Sequence, residues 1–256
     1  MKLATWNVNS LAVRLPQLLD WLAANPVDAL VLQETKLTDD KFPVAELQAA
    51  GYAVAFHGQK TYNGVALLSR GAAAEGVLKN IPGFADEQAR VITGTVGGMR
   101  LIGGYFPNGQ APDSDKFVYK MAWLDALRGF VQAELAAHPR LVLMGDFNIA
   151  PEDRDAWDPV ALAGTIHLTP EERAHFQALL GLGLVDAFRL FEQPPKSYSW
   201  WDYRMLAFRK NQGLRIDHIL VSDALKPVVQ ACTIDRLPRK NERPSDHAPV
   251  VVELQG

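Results

Sequence analysis

Cysteine is nearly absent. Cys232 is the only one in 256 residues, so neither an intrachain disulfide nor a cysteine-built zinc site can form. It lies in VVQACTID and reads as a small buried hydrophobe. Long apolar runs are lacking too: no stretch reaches the roughly 20 residues that a bilayer-spanning helix needs. Residues 1–10 show neither the apolar core nor the small-residue cleavage pattern of a secretory signal, which predicts a cytoplasmic protein with no membrane partner. There is no Gly-rich loop ending in Gly-Lys-Ser/Thr, which argues against a nucleotide-driven motor. No block of like charge occurs, and 26 basic against 29 acidic residues leave a net charge of −3. That balance argues against a nonspecific coat on DNA while permitting local basic patches. No low-complexity linker divides the chain, so residues 1–256 read as a single domain, expected to act as a monomer.

What is there centres on residues 141–148, LVLMGDFN. Four apolar residues run into Gly145, and two polar side chains follow, Asp146 and Asn148, one residue apart. The run reads as a strand buried on both faces with a polar pair at its exit. Positions two apart on an extended backbone share a face, so Asp146 and Asn148 point together and Phe147 points into packing. Taken alone, the pair could equally satisfy the backbone of a turn. The same arrangement recurs in LATWNVN (residues 3–9), DALVLQET (28–35), LRIDHIL (214–220) and SDHAPVVVEL (245–254). Strands laid side by side would gather Asn7, Glu34, Asp146, Asn148, Asp217, Asp246 and His247 along one sheet edge.

Between these strands the chain reads as alternating helix and strand. Residues 14–24 carry leucines at helical spacing, with Pro16 in the first turn, and 113–138 form the longest helical pattern, its stripe comprising Phe117, Met121, Leu124, Leu127, Val131 and Leu135. Gly97-Gly98 supplies the positive φ angles of a hairpin that delivers Tyr105 to a strand end. Residues 151–169 read as a long loop, and Thr169-Pro170-Glu171-Glu172 opens a helix with a capping box and Pro at its first position. These patterns support a mixed α and β chain.

Carboxylates and carboxamides in this number point to a hard cation. Magnesium takes one or two carboxylates and keeps its other positions for water and substrate oxygens. Glu34 is the first ligand to name, with Asn7 and Asp246 nearby.

The blocks WNVNSL, LQETK, GYFPNG, GDFNIAP, GLRIDHIL and PSDHAP run in order from Trp6 to Pro249. Together they resemble the signature blocks of the exonuclease III family of DNA-repair nucleases, within the endonuclease/exonuclease/phosphatase superfamily that also includes deoxyribonuclease I. The resemblance implies an α+β fold, a four-layer α/β/β/α sandwich of two mixed β-sheets, with the site at its top. It also implies a Mg2+-dependent hydrolase, with Mn2+ as a substitute, acting on double-stranded DNA at 3′ ends, nicks or abasic sites. Asn7, Glu34, Asp146, Asn148 and Asp246 then surround the metal. Asp217 orients His247, Asp146 and His247 compete for the role of general base, Asn148 positions water or stabilises the transition state, and Tyr105 with Asn108 faces the phosphate. One metal or two stays open.

Basic residues precede two of the blocks: Arg204, Arg209, Lys210 and Arg215 before Asp217, and Arg236, Arg239, Lys240 and Arg243 before Asp246. Such runs are usually solvated faces, but beside these blocks they read as phosphate contacts along a duplex. By resemblance, Trp200, Leu214 and Ile216 line an apolar pocket for a flipped or terminal sugar. One position departs from the family, where the residue two before the helix-opening Thr-Pro is small. Here it is His167, whose bulk beside the pocket implies 3′-end processing with abasic-site incision weakened; a full abasic-site endonuclease is the runner-up. The basic, aromatic segments argue against a phosphoinositide or sphingomyelin substrate, and the intact acidic set argues against a noncatalytic DNA-binding module.

Overall fold

The computed structural model describes residues 1–255. The chain lays down β1 (Lys2–Asn7), β2 (Ala29–Gln33), β3 (Tyr52–His57) and β4 (Val65–Arg70) in one sheet. It then crosses to a second with β5 (Glu75–Lys79), β6 (Val91–Val96), β7 (Met99–Tyr105), β8 (Leu141–Asp146), β9 (Leu184–Asp186) and β10 (Asp217–Ser222). Finally β11 (Val229–Ile234) and β12 (Val250–Leu254) return to the first sheet. Each sheet has six strands, ordered β11-β12-β1-β2-β4-β3 and β5-β6-β7-β8-β10-β9. The helices are α1 (Leu11–Ala24), α2 (Val44–Ala49), α3 (Asp115–Ala137), α4 (Pro170–Leu180) and the single turn α5 (Ala207–Lys210).

Three apolar layers separate four structural ones. Leu3, Val31, Leu67, Ile92, Leu101, Met144 and Ile219 interdigitate between the sheets. Trp6, Leu18, Leu22, Leu30 and Leu68 join the first sheet to α1, and Phe106, Trp123, Leu127, Leu143, Phe147 and Phe176 join the second to α3 and α4. Alternation along the strands sends one set of residues inward to the facing sheet and the next outward to helices, so the chain is an α/β/β/α sandwich.

The sheets are mixed because each contains one parallel pair, β1 with β2 and β7 with β8; every other pairing is antiparallel. A parallel pair needs a long crossover, supplied by α1 in one case and α3 in the other. The carboxyl ends of these central strands are where ligands bind in open α/β sheets. They carry Asn7, Tyr105 and Asp146, with Glu34 one residue past β2.

Local signals explain several boundaries. Gly97 and Gly98, at φ +56° and +74°, turn β6 into β7. Ser114 Oγ accepts the Phe117 N–H to start α3, and Thr169 with Glu172 forms the reciprocal capping box of α4. Other details differ from the sequence reading. Helix α1 begins at Leu11, so Pro16 lies in its second turn rather than its first, and costs one backbone hydrogen bond there. The short strands β5, β9 and β11 carry little signal in the sequence; β5 is an exposed edge and β9 spans three residues, so neither has a clear apolar alternation. The polar strand ends expected along one sheet edge come from both sheets, meeting across the gap between them.

Candidate active site

Two sheets that face each other bring their strand ends to one shallow basin. From the first sheet, Asn7 closes β1 and Glu34 follows β2 in the left-handed region at φ +50°. From the second, Asp146 closes β8 directly opposite Asp217, which opens β10, and Tyr105 lies opposite Asp146 on the other side. The loop before β12, antiparallel to β1, supplies His247.

The side chains interlock. Asp217 accepts from His247 Nδ1 at 2.9 and 3.1 Å through its two oxygens, so Nδ1 carries the proton and Nε2 is turned toward Asp146 Oδ2, 3.7 Å away. Asn7 Nδ2 bridges Glu34 Oε1 and Asp146 Oδ2, 2.9 Å from each. The Asn148 N–H donates to Asp146 Oδ1 at 3.0 Å, its carboxamide donates to the Phe106 carbonyl, and Asn108 Nδ2 reaches its side-chain oxygen at 3.3 Å. Phe147 turns away and stacks on Phe106.

Burial and charge tune these groups. Burial pushes the Asp146 carboxyl up, and although His247 opposes this it settles at about 7. Burial alone would depress His247; the Asp217 and Asp146 carboxylates outweigh it and raise the imidazole to about 10. The Tyr105 hydroxyl is raised well above its ordinary value by burial, then by Glu34 and Asp146, while Arg90 lies over its ring.

Glu34, Asp146 and His247 each offer a ligand atom, all within 4.8 Å of one another. Two carboxylates this close together fit a hard divalent cation; the imidazole is the unusual member for magnesium, which favours oxygen. Two further expected ligands carry hydrogen bonds of their own. Asn9 Nδ2 and Trp200 Nε1 donate to the two oxygens of Asp246. Asn7 presents nitrogen to the carboxylates, since its oxygen accepts the Asn9 N–H at 2.9 Å.

Beside the basin an open cleft of about 840 Å3 is lined by His167, Trp200, Leu214, Trp157 and Leu162, with Arg204 and Lys210 on its rim. Ile216 lies beneath it, packed with Leu214, Leu168 and Ala156. His167 stands at φ +76° and its Nδ1 donates to the Asn148 carbonyl at 2.8 Å; burial and Lys120 lower it to about 4, so the ring is neutral.

Two of the basic residues are not available to a duplex. Arg239 is buried: it donates to the carbonyls of Ser245 and Trp201 and lies over Trp201, Tyr203 and Phe208. Arg215 is buried among Asp155, Asp186 and His218. Arg204 is exposed and paired with Asp202, while Lys240, Arg236 and Arg243 are exposed. Sequence reading also missed Lys36, whose ammonium lies 2.9 Å from Glu34 Oε2, and Ser199, whose hydroxyl accepts the Asp217 N–H. Lys36 was signalled by its place in LQETK, whereas Ser199 belongs to no block and only tertiary packing brings it there.

The family model for the Endonuclease/Exonuclease/phosphatase family matches residues 4–247. An exodeoxyribonuclease III of Haemophilus influenzae is 35% identical over 271 residues, with the whole of both chains covered. Two structures of NExo from Neisseria, one described as a 3′-5′ exonuclease and one as a 3′ phosphatase bound to a product DNA hairpin, superpose with a TM-score of 0.98 at 50% identity over all of both chains. An AP endonuclease from Archaeoglobus fulgidus does so at 0.96 and 35%, again over all of both chains. With the acidic and imidazole groups of both sheets converging on one basin, the chain belongs to the endonuclease/exonuclease/phosphatase family and is similar throughout to its exodeoxyribonuclease III members.

Proposed function

We propose that this protein is a Mg2+-dependent DNA-repair hydrolase that removes phosphate, phosphodiester remnants and nucleotides from DNA 3′ ends. The observation that carries this reading is the adjacency of a carboxylate-imidazole basin and an apolar cleft whose wall is His167. The likeness to NExo and to exodeoxyribonuclease III supports it.

Hydrolysis needs neutralised phosphate oxygens, an in-line water and a stabilised leaving oxygen. A divalent cation held by Glu34 and Asp146 would supply charge neutralisation; Mn2+ can replace Mg2+ because both accept oxygen donors. His247, fixed by Asp217 through Nδ1 and raised by the neighbouring carboxylates, is the group suited to donate to the scissile phosphate. Asp146, held by the Asn7 amide and the Asn148 N–H with His247 Nε2 3.7 Å away, is then the group suited to accept the proton of the attacking water. Asn148, held by Asp146, Phe106 and Asn108, has a second amide hydrogen that would serve the developing charge, and Asn108 and Tyr105 would contact the phosphate beside it. Exposed Arg204 and Lys240 would contact backbone phosphates near the cleft. The whole chain acts as one monomeric, cytoplasmic catalytic unit with no membrane partner.

His167 fills the part of the cleft nearest Asn148, where a sugar flipped from continuous duplex would enter, while a frayed 3′ end can approach from the open side. Nicked, 3′-phosphate, internal-abasic and blunt duplexes assayed with Mg2+ are expected to rank 3′-phosphate and nicked ends above internal abasic sites. His167→Gly is expected to raise incision of the internal abasic site; an unchanged rate would overturn this role. The A. fulgidus likeness favours the second reading, a full abasic-site endonuclease, and wild-type incision as fast as 3′-phosphate release would establish it.

A further inference from the structure

Helix α3 presents Phe117, Leu124, Leu127 and Val131 to the core, and helical spacing places Lys120 on the same buried stripe. Its side chain is completely inaccessible. The ammonium makes three contacts. It pairs with Glu172, itself fully buried at the first turn of α4, and it donates to two backbone carbonyls, Asn148 at 2.8 Å and Asn108 at 3.1 Å. These carbonyls belong to the two loops whose side chains meet in the active site through Asn108 Nδ2 and Asn148 Oδ1. The Asn148 carbonyl also accepts from His167, so the cleft wall hangs on the same atom. Asn148 itself is at φ +51°, a left-handed conformation that an asparagine tolerates and that its surroundings must hold.

We propose that Lys120 is a positioning residue of the active site: from below, its buried ammonium fixes the two asparagine-bearing loops at the height at which Asn108 and Asn148 meet the phosphate. A bare ion pair would be a poor device for joining α3 to α4. Burying two charges costs several kcal/mol per ion before their attraction is counted, and two apolar residues would pack the helices as well. What apolar residues cannot supply is a cluster of N–H donors aimed at carbonyls on two different loops. Glu172 then serves as counter-ion, and its other oxygen accepts the Thr169 N–H and hydroxyl, which anchors the pair to the start of α4. The inference rests on the assignment of Asn148 and Asn108 to phosphate contact.

The test separates positioning from stability. Lys120→Met alone leaves Glu172 buried without a partner and is expected to lower the melting temperature. The double variant Lys120→Met/Glu172→Gln removes both charges and keeps the capping oxygen, so the melting temperature is expected to recover. If Lys120 positions the loops, kcat on a 3′-phosphate duplex stays down in the double variant by roughly tenfold to a hundredfold, the scale of an ångström's misplacement, while KM stays near the wild-type value. A double variant with wild-type kcat, or one whose kcat recovers in step with its stability, overturns the proposal. A fall confined to KM does so as well. Wild-type protein inactive on every 3′-blocked duplex would instead strike at the functional reading, so the two failures are distinguishable.

Discussion

Two buried histidines, His218 and His247, are driven in opposite directions by what stands next to them. His218 accepts from Arg215 through Nδ1 and donates to the Ile149 carbonyl through Nε2, so protonation would place an N–H against a guanidinium. Burial and then Arg215 lower it to about 4. In the unfolded chain the same imidazole titrates near 6.5. Between those values the unfolded chain binds the proton and the folded one refuses it, so stability falls as pH drops from 6.5 toward 4. The share of His218 is roughly 3 kcal/mol, a gap of about 2.5 pH units at 1.36 kcal/mol each. Urea unfolding measured across that window is expected to show this loss, and His218→Leu to flatten it. His247 carries the opposite sign: raised to about 10, it contributes stability that is full below 6.5 and is lost as pH climbs through 10. A sequence marks both as His beside Asp; only their neighbours across the sheet decide which stays neutral.

Elements deliver these residues, and here much was legible. Apolar run followed by polar exit is a pattern of strands feeding a site, and LVLMGDFN, LATWNVN and DALVLQET end where it predicts, whereas in LRIDHIL the strand starts at Asp217, so its polar pair stands at the entry of β10. The capping box of α4 and the Gly97-Gly98 turn were legible because they are interactions within a few residues of chain. Basic segments were not, because burial is a property of distant partners. Arg239 and Lys240 are neighbours, yet Arg239 holds the loop before His247 through the Ser245 carbonyl while Lys240 faces solvent. Lys240→Ala is therefore expected to weaken duplex binding and reduce the slope of log affinity against log salt by up to about one unit. Arg239→Lys is expected to leave that slope unchanged and to lower kcat, since an ammonium cannot reach both carbonyls from one planar fork. Equal slope changes for the two would mean that Arg239 does touch phosphate. Lys120 was overlooked for the same reason, a lysine in a helix reading as solvated until α4 closes over it.

At the scale of the molecule, the three apolar layers hold the sandwich and the basin merely sits at their end. Among the described residues, no helix is long and apolar enough to cross a membrane. Chelation with EDTA is expected to abolish release of 3′-phosphate, to be reversed by excess Mg2+, and to shift the melting temperature by no more than a few degrees, because the cation adds only its own binding energy to a core built without it. Unfolding on chelation would show that the carboxylates of Glu34 and Asp146 cannot be held together by protein contacts alone. The amino-acid order by itself determined the family, the alternation of strands and helices, and which polar residues stand at strand exits, because these depend on periodicity and short-range chemistry. Only the tertiary structure decided that the polar strand ends belong to two sheets, that Asp246 is hydrogen-bonded by Asn9 and Trp200, and that Arg215, Arg239 and Lys120 are interior cations. Charge state, solvent access and distance are set by groups far apart in the chain, and folding alone brings them within reach.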